Sequence, residues 1–244
     1  MFKDIAEKNA TNLRKNAYPG RGIVIGVTED GLKFAQIYWI MGRSENSRNR
    51  IFIEESGYVT TKAFDESKVV DPSLIIYYPI KDYAQIHIVS NGDQTETVLD
   101  YIKTGGGFTK ALLTREFEPD PPNFTPRITG IFDFNSQNAY TLAILKSQNG
   151  SGDYCTRNFY HYEKVIPGYG HCIHTYQGDG NPLPSFCGDP YLMPVPDDAD
   201  KACQAYWPLL NKENRVSLLA KYIDLKTGEF EISIINKHCG KSIS

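Results

Sequence analysis

The most chemically suggestive stretch of the sequence lies between two apolar segments, at residues 42–50. Gly-Arg-Ser-Glu-Asn-Ser-Arg-Asn-Arg holds three arginines, two asparagines and two serines, but no lysine. Guanidinium groups bind phosphate oxygens through two coplanar hydrogen bonds, and Ser and Asn supply further donors. A turn that needs only to be soluble more commonly uses Lys, Asp and Gly. The stretch therefore predicts a site for a small phosphorylated ligand, with a solvated hairpin tip as the alternative.

A second candidate lies at Ser-Asn-Gly-Asp-Gln-Thr-Glu-Thr, residues 90–97, where an apolar strand ends and a helix is expected to begin. A helix N-terminus presents unpaired N–H groups and a partial positive charge, which suit an anion or a carbonyl oxygen. The same residues also fit an ordinary turn with Asp93 or Thr95 as the N-cap. The sequence leaves both interpretations open.

Two further places offer groups that can move protons. Tyr77 and Tyr78 end a predicted strand, where a phenol can face a pocket as a proton donor or orienting group. Glu118 lies beside prolines, which would hold its carboxylate rigidly. The alternative for either tyrosine is an ordinary packing role, since the chain has 16 tyrosines. The alternative for Glu118 is a solvated acid in a loop.

The sequence carries no standard metal or nucleotide motif. His171 and His174 are three residues apart on a predicted strand, so they point to opposite faces and would not share an ion. HExxH, CxxC, GxxxxGK[ST] and GxSxG motifs are absent, as is a GxGxxG motif that links a strand to a helix. Five unevenly spaced cysteines predict free thiols. We therefore expect no metal and no cofactor.

Composition is typical of one globular domain. Apolar residues at 41% and charged residues at 23% exclude a disordered chain, a collagen-like repeat and a disulfide-packed miniprotein. A net charge of −3 gives no global basic field for nucleic acid or an acidic membrane. The charged N-terminal segment lacks the apolar core of a signal peptide. We expect a single domain over residues 1–244, in the cytoplasm.

Apolar periodicity and turn residues predict an α+β fold of antiparallel sheets covered by helices. Helices are predicted at residues 2–14, 96–103, 108–116 and 199–207. Strands are predicted at residues 23–28, 33–41, 50–54, 58–63, 74–78, 85–89, 127–134, 139–146, 158–165, 170–176, 216–224 and 230–236. Tight turns are predicted at residues 29–31 and 55–57. The long loop at residues 177–196 is typical of a lid or binding loop.

Several segments resemble the archaeal-type IMP cyclohydrolase family, in the family's order and at nearly its spacing. They are Tyr18-Pro-Gly-Arg-Gly-Ile to Gly26, Gly42-Arg-Ser to Asn49-Arg50, Ser90-Asn-Gly to Thr95-Glu-Thr97, and Thr125-Pro-Arg127. The stretch from His174-Thr-Tyr to Pro182-Leu-Pro-Ser-Phe186 is similar to the bacterial branch. The resemblance extends from about Tyr18 to Asn236, nearly the whole chain.

This resemblance implies a four-layer αββα sandwich of antiparallel sheets, similar in architecture to N-terminal nucleophile hydrolases. The likeness to those hydrolases would be architectural only, because a helix and Tyr18-Pro19 precede the first strand and no nucleophile opens it. The implied activity is closure of 5-formamidoimidazole-4-carboxamide ribotide to inosine monophosphate plus water, in purine biosynthesis. An enzyme of this family is a hydrolase acting on cyclic amidines and needs no cofactor.

The resemblance also assigns roles to residues. Arg50 would polarise the formyl oxygen or position the carboxamide, and Tyr77 would donate to the oxygen. Glu118 would take the nitrogen proton or orient the reacting pair. The expected substrate and phosphate contacts are Arg21, Arg43, Asn49, Asn91, Gly92, Thr95 and Arg127. A shift in alignment would exchange Arg50 for Arg48, or Tyr77 for Tyr78.

Other functions compete with this interpretation. The same fold and pocket would serve a non-catalytic protein that binds a purine nucleotide. An N-terminal nucleophile amidohydrolase is disfavoured by the absent nucleophile, and nucleic-acid binding by the acidic chain without a basic stripe. The expected partner is a small purine ribotide, with neither nucleic acid nor membrane; a homo-oligomer is left open.

Overall fold

The computed structural model describes residues 1–55, 58–69 and 75–238, which form a mixed α+β architecture with antiparallel sheets. The helices are α1 (Phe2–Lys15), α2 (Glu45–Arg48), α3 (Gln94–Lys103), α4 (Phe108–Leu113) and α5 (Ala199–Tyr206). The strands are β1 (Gly22–Val27), β2 (Lys33–Met41), β3 (Ile51–Glu55), β4 (Tyr58–Lys62), β5 (Ile80–Tyr83), β6 (Ile86–Ser90), β7 (Arg127–Asp133), β8 (Tyr140–Ser147), β9 (Cys155–Tyr162), β10 (Tyr169–His174), β11 (Tyr191–Pro194), β12 (Arg215–Asp224) and β13 (Phe230–Asn236).

The strands form two large sheets and one hairpin. The six-stranded sheet has the order β11-β10-β1-β2-β12-β13, the five-stranded sheet the order β5-β6-β7-β8-β9, and β3 pairs with β4. Every residue of β1 is buried, because this strand lies inside its sheet and is covered on both faces. Within the described residues, no helix is both long and apolar enough to cross a membrane.

Three apolar clusters hold the elements together, because antiparallel strands alternate their side chains between two faces. One cluster joins the two large sheets, where the rings of Phe34 and Phe132 stack with centroids 3.8 Å apart. Leu13 of α1 and Tyr206 of α5 belong to a second cluster on the six-stranded sheet. Leu99 of α3 contributes to the third, on the five-stranded sheet. Helices therefore pack on both sheets.

Most predicted elements are confirmed. The predictions at residues 33–41 and 230–236 match β2 and β13 residue for residue, and the predicted N-terminal helix ends one residue early. The other confirmed elements differ at their ends by one to three residues. Apolar alternation locates a strand well, whereas its ends depend on partners far away in the sequence.

The predicted strand at residues 74–78 is wrong over its described part. Residues 75–78 are not a strand, and Leu74 lies outside the described residues. The backbone of Tyr77 instead bonds Thr61: Thr61 N donates to Tyr77 O at 2.9 Å, and Tyr77 N donates to Thr61 Oγ1 at 2.9 Å. The apolar run is explained by burial of Ile75 and Tyr77 rather than by sheet pairing.

Two further predictions need correction. The loop at residues 177–196 contains β11, which pairs with β10 at the sheet edge, and residues 42–50 contain the short helix α2 rather than an open turn. A capping box explains α2, because Ser44 Oγ accepts from Ser47 N and Ser47 Oγ from Ser44 N. Part of the predicted 55–57 turn, Ser56 and Gly57, lies outside the described residues, as does Cys239.

Candidate active site

A cavity of about 260 Å³ lies where the start of β1, the α2 segment and the turn before β7 meet. Four of the predicted site residues line it, although they come from three distant parts of the chain: Arg21, Arg43, Arg50 and Glu118. Tyr18, Thr125 and Tyr176 complete much of its wall. The fold therefore gathers three guanidinium groups and two carboxylates, those of Glu118 and Asp120, around a small polar cavity.

Arg21 is positioned by the residues on either side of it. Gly20 has φ +75°, and a Cβ there would lie 2.1 Å from Thr175 Oγ1, so only glycine fits. The space goes to a hydrogen bond, because Arg21 N donates to Thr175 Oγ1 at 3.1 Å. Thr175 N in turn donates to Arg21 O at 2.9 Å. The Arg21 side chain is therefore attached to a rigid backbone segment directly before β1.

Arg21 and Glu118 form a buried ion pair in the cavity wall. Arg21 Nη1 donates to both Glu118 carboxylate oxygens at 3.3 Å, and the side chains are 11% and 6% exposed. Burial raises the pKa of Glu118, and the charges of Arg21 and Arg127 oppose that shift only in part. The carboxylate is therefore paired with Arg21 but has a pKa above that of an ordinary glutamate.

Arg50 is the least satisfied charge in the cavity. Its side chain belongs to a residue only 4% exposed, and neither Nε nor Nη1 has a hydrogen-bond acceptor among the residues that the structure describes. Burial, followed by the neighbouring charge of Arg21, lowers the pKa of Arg50. A buried guanidinium in this state is prepared to donate to a ligand oxygen, above all one that carries negative charge.

Arg48, the alternative to Arg50, is used elsewhere. Its Nε donates to Gly42 O at 3.0 Å and its Nη2 to Asn214 Oδ1 at 3.0 Å, so it braces the α2 segment. Asn49 also lies off the cavity: its side-chain amide donates to Asp65 O and accepts from Asp65 N, both at 2.7 Å.

Tyr77 lies close to the charged groups without lining the cavity itself. It is buried, and its hydroxyl is 2.7 Å from the hydroxyl of Tyr38. Burial raises the pKa of Tyr77, and the charges of Arg21 and Arg50 act against that shift. Tyr78, the alternative, is half-buried and lies under Lys81, whose Nζ is 3.6 Å from the ring centroid.

The predicted residues around β6 and α3 support Arg127 rather than line the cavity. The side chain of Asn91 accepts from Ile128 N at 2.8 Å and donates to Pro126 O at 2.9 Å. The Thr95 hydroxyl bonds Ser90 and Gly92 O. A Cβ on Gly92 would lie 2.8 Å from Arg127 Nη1, so glycine lets that guanidinium approach.

Arg127 is itself paired with residues of the β6–α3 turn. Its Nη1 donates to Asp93 Oδ1 at 2.6 Å and to Gln94 Oε1 at 2.8 Å. Its Nε has no acceptor within the described parts of the chain. Asp93 is the N-cap of α3, as one alternative predicted, although its side chain makes no capping bond and binds Arg127 and Arg115 instead.

Arg43 closes the cavity mouth. Its Nη1 donates to Asp179 Oδ1 at 2.6 Å and to Gly180 O at 2.8 Å, and its guanidinium lies over the Tyr18 ring. The loop at residues 177–196, predicted as a lid or binding loop, thus contacts the cavity through Asp179 and Leu183.

Sequence reasoning missed the aromatic residues of the site. Tyr18 and Tyr176 stack with ring centroids 5.9 Å apart, and the Tyr176 hydroxyl bonds Thr125 Oγ1. Both tyrosines lie in segments that carry the family resemblance, but nothing in their spacing shows that they meet. Tyr38 had no signal, since it occupies an apolar strand. In the described residues, no group of three or more His, Cys, Asp or Glu side chains is arranged to hold a metal.

Comparison with known proteins identifies relatives. A sequence model of the family described as IMP cyclohydrolase-like protein matches residues 18–228. An IMP cyclohydrolase of Methanococcus maripaludis strain C5 is 30% identical over 116 residues, 46% of this chain and 56% of that protein. An IMP cyclohydrolase of Methanopyrus kandleri is 28% identical over 120 residues, 48% of this chain and 59% of that protein. The aligned part spans less than two thirds of these relatives.

We expect Arg50→Met to stabilise the free protein. The substitution removes a buried charge that lacks an acceptor in the described structure, so the free energy of unfolding should rise by about 1–2 kcal/mol. Arg48→Met is the matched control, because it removes two hydrogen bonds and should lower that free energy by about 1 kcal/mol. Urea unfolding of both variants measures the difference. A loss of stability in Arg50→Met would show that protein groups already satisfy Arg50.

Proposed function

The chain belongs to the IMP cyclohydrolase-like family, and we propose that it closes 5-formamidoimidazole-4-carboxamide ribotide to inosine monophosphate and water. The observation that carries the proposal is the buried Arg50, which has two N–H donors without acceptors in the described structure and stands beside the Arg21–Glu118 pair. The family match supplies the reaction, and the cavity supplies groups suited to each of its steps. The substrate is a small purine ribotide in the cytoplasm.

Ring closure needs three kinds of assistance. The carboxamide nitrogen attacks the formyl carbon, and the resulting carbinolamine loses water. Because an amide nitrogen is a weak nucleophile, the two reacting groups must be held in attack geometry. Negative charge that develops on the formyl oxygen needs a fixed donor. Protons must leave the nitrogens and reach the departing oxygen.

We assign stabilisation of the formyl oxygen to Arg50. Attack converts a carbonyl oxygen into an alkoxide, so a buried cation next to it binds the transition state more strongly than the substrate. The burial that lowers the pKa of Arg50 also removes competing water. The buried charge of Arg50 is unfavourable in the free protein, and the negative charge that develops on the formyl oxygen would compensate it.

We assign proton transfer from the carboxamide nitrogen to Glu118. Its raised pKa makes it a better base than an exposed glutamate, and Arg21 still holds it ionised before attack. In the proposed sequence, Glu118 takes the nitrogen proton while Tyr77 donates to the formyl oxygen, which gives the carbinolamine. In the loss of water, Glu118 returns its proton to the leaving hydroxyl, and the former formamide nitrogen gives its proton to the Tyr77 oxygen. The ring C=N bond forms, and both side chains regain their starting states.

We assign phosphate binding to the cavity mouth at Arg43, where Ser44 and Asn46 add polar lining. Arg21 and Arg127 contribute positive charge further in. Asn91, Gly92 and Thr95 act through Arg127, because their hydrogen bonds and close contacts hold the β6–α3 turn against it. Asn49 acts through the α2 segment, which it ties to Asp65.

We also propose that the domain, spanning residues 1–244, has the four-layer αββα architecture of N-terminal nucleophile hydrolases. Support comes from the apolar cluster between the two large sheets and from the two clusters where helices pack on those sheets. Arg21 directly precedes the fully buried strand β1 and lines the cavity.

Turnover of the formamido ribotide by the purified protein tests the proposal, with ring closure followed by its ultraviolet change in the presence of a chelator. We expect closure well above the spontaneous rate. Glu118→Gln should lower kcat by about 100-fold or more, because it removes the base. Glu116→Gln is the control, since Glu116 is a nearby exposed acid.

Full turnover by Glu118→Gln would remove that carboxylate from the mechanism. An inactive wild-type protein that still binds inosine monophosphate saturably would replace the enzyme with a purine-nucleotide-binding protein.

The pH dependence follows from the state of Glu118. The carboxylate accepts a proton only when ionised, and burial raises its pKa above the usual value of 4.5. Activity should therefore be lost, as pH falls, at a higher pH than an exposed glutamate would produce. The acidic limb of kcat/KM for the free enzyme measures this pKa. A profile that stays flat down to the pKa of an ordinary glutamate would contradict the role of Glu118.

A further inference from the structure

Tyr38 carries a hydroxyl at a buried position where an apolar ring alone would satisfy the packing. It lies in β2, is fully buried, and belongs to the apolar cluster between the two large sheets, where its ring packs against Phe52. Phenylalanine would fill the same space. The hydroxyl is 2.7 Å from that of Tyr77, so it has a specific partner beside the cavity.

Either hydroxyl of this pair could donate the hydrogen bond to the other. Within the described structure, the hydrogen-bond partner of the Tyr38 hydroxyl is Tyr77. Donation by Tyr38 satisfies its buried O–H, which would otherwise cost about 1–3 kcal/mol, and leaves the Tyr77 proton free. Arg21 and Arg50, whose charges act on Tyr77, carry only donors and take no proton from it. The proton of Tyr77 is left for an acceptor at the cavity.

We propose that Tyr38 is a positioning residue that orients the Tyr77 hydroxyl as a donor toward the reacting oxygen of the substrate. This inference rests on the proposed ring closure. The bond from Tyr38 stabilises negative charge on the Tyr77 oxygen and so lowers the pKa of Tyr77 against the effect of burial. Burial raises the pKa of Tyr38 well above its usual value, so Tyr38 keeps its own proton.

Tyr38→Phe tests the inference because it removes one oxygen and keeps the ring. We expect kcat for ring closure to fall about 10-fold, as in the loss of part of a proton-donating unit, with KM changed by less than about 2-fold. Tyr77→Phe should lower kcat further, and the Tyr38→Phe/Tyr77→Phe double variant should match Tyr77→Phe alone, because Tyr38 acts only through Tyr77.

Tyr222→Phe is the matched control. Tyr222 is a buried tyrosine in the cluster packed against α1 and α5, and its hydroxyl donates to Pro196 O at 2.8 Å. Its loss should affect stability but not kcat, which separates a general packing effect from positioning. Thermal unfolding of each variant confirms that the compared proteins are folded.

The outcomes distinguish a failure of the proposed function from a failure of the role of Tyr38. A wild-type protein that leaves the ribotide unchanged overturns the proposed function and the role of Tyr38 with it. An active wild-type protein with unchanged kcat in Tyr38→Phe overturns only the role of Tyr38. Rate losses that multiply in the double variant overturn it as well, because they would show that Tyr38 acts independently of Tyr77.

Discussion

A buried guanidinium without an acceptor in the described structure is the constraint on which this site depends. Arg50 lies in the cavity wall, and neither its Nε nor its Nη1 has an acceptor among the residues that the structure describes. The carboxylate of Glu118, which also lines the cavity, is already paired with Arg21. Burying an unpaired charge destabilises a protein, so the arrangement makes sense where a ligand oxygen supplies the missing charge. Chemistry that develops an oxyanion at this point gains the most from it.

The surrounding structure fixes the positions of Arg50 and of the charged groups beside it. Arg21 enters the central strand β1 beside a glycine that no other residue can replace, and Glu118 N is tied to Thr125 O at 2.8 Å. Arg48 fixes the α2 segment from which Arg50 extends. Because these contacts fix the groups in advance, the proposed ring closure would need little reorganisation as charge develops.

The sequence predicted most of the strands and helices, but it predicted few of the side-chain contacts within the site. Alternation in residues 33–41 located β2, and the density of Arg, Ser and Asn at residues 42–50 marked one wall of the cavity. Arg48 and Arg50 were not separable, because the partner of Arg48, Asn214, is 166 residues away. Tyr38 was hidden in an apolar strand, where only its three-dimensional neighbour distinguishes a phenol from a packing ring. The polar run at residues 90–97 fitted either an anion site or an ordinary turn with an N-cap, and its side chains support the turn next to Arg127.

The rate of ring closure by Arg50→Met tests the central claim most directly. Methionine preserves much of the length and apolar contact of the arginine stem but cannot stabilise an oxyanion. If the unsatisfied charge is kept for the reaction, kcat for the formamido ribotide should fall by about 100-fold or more in a protein that is folded and at least as stable as the wild type. A folded Arg50→Met protein that closes the ring at the wild-type rate would contradict the account.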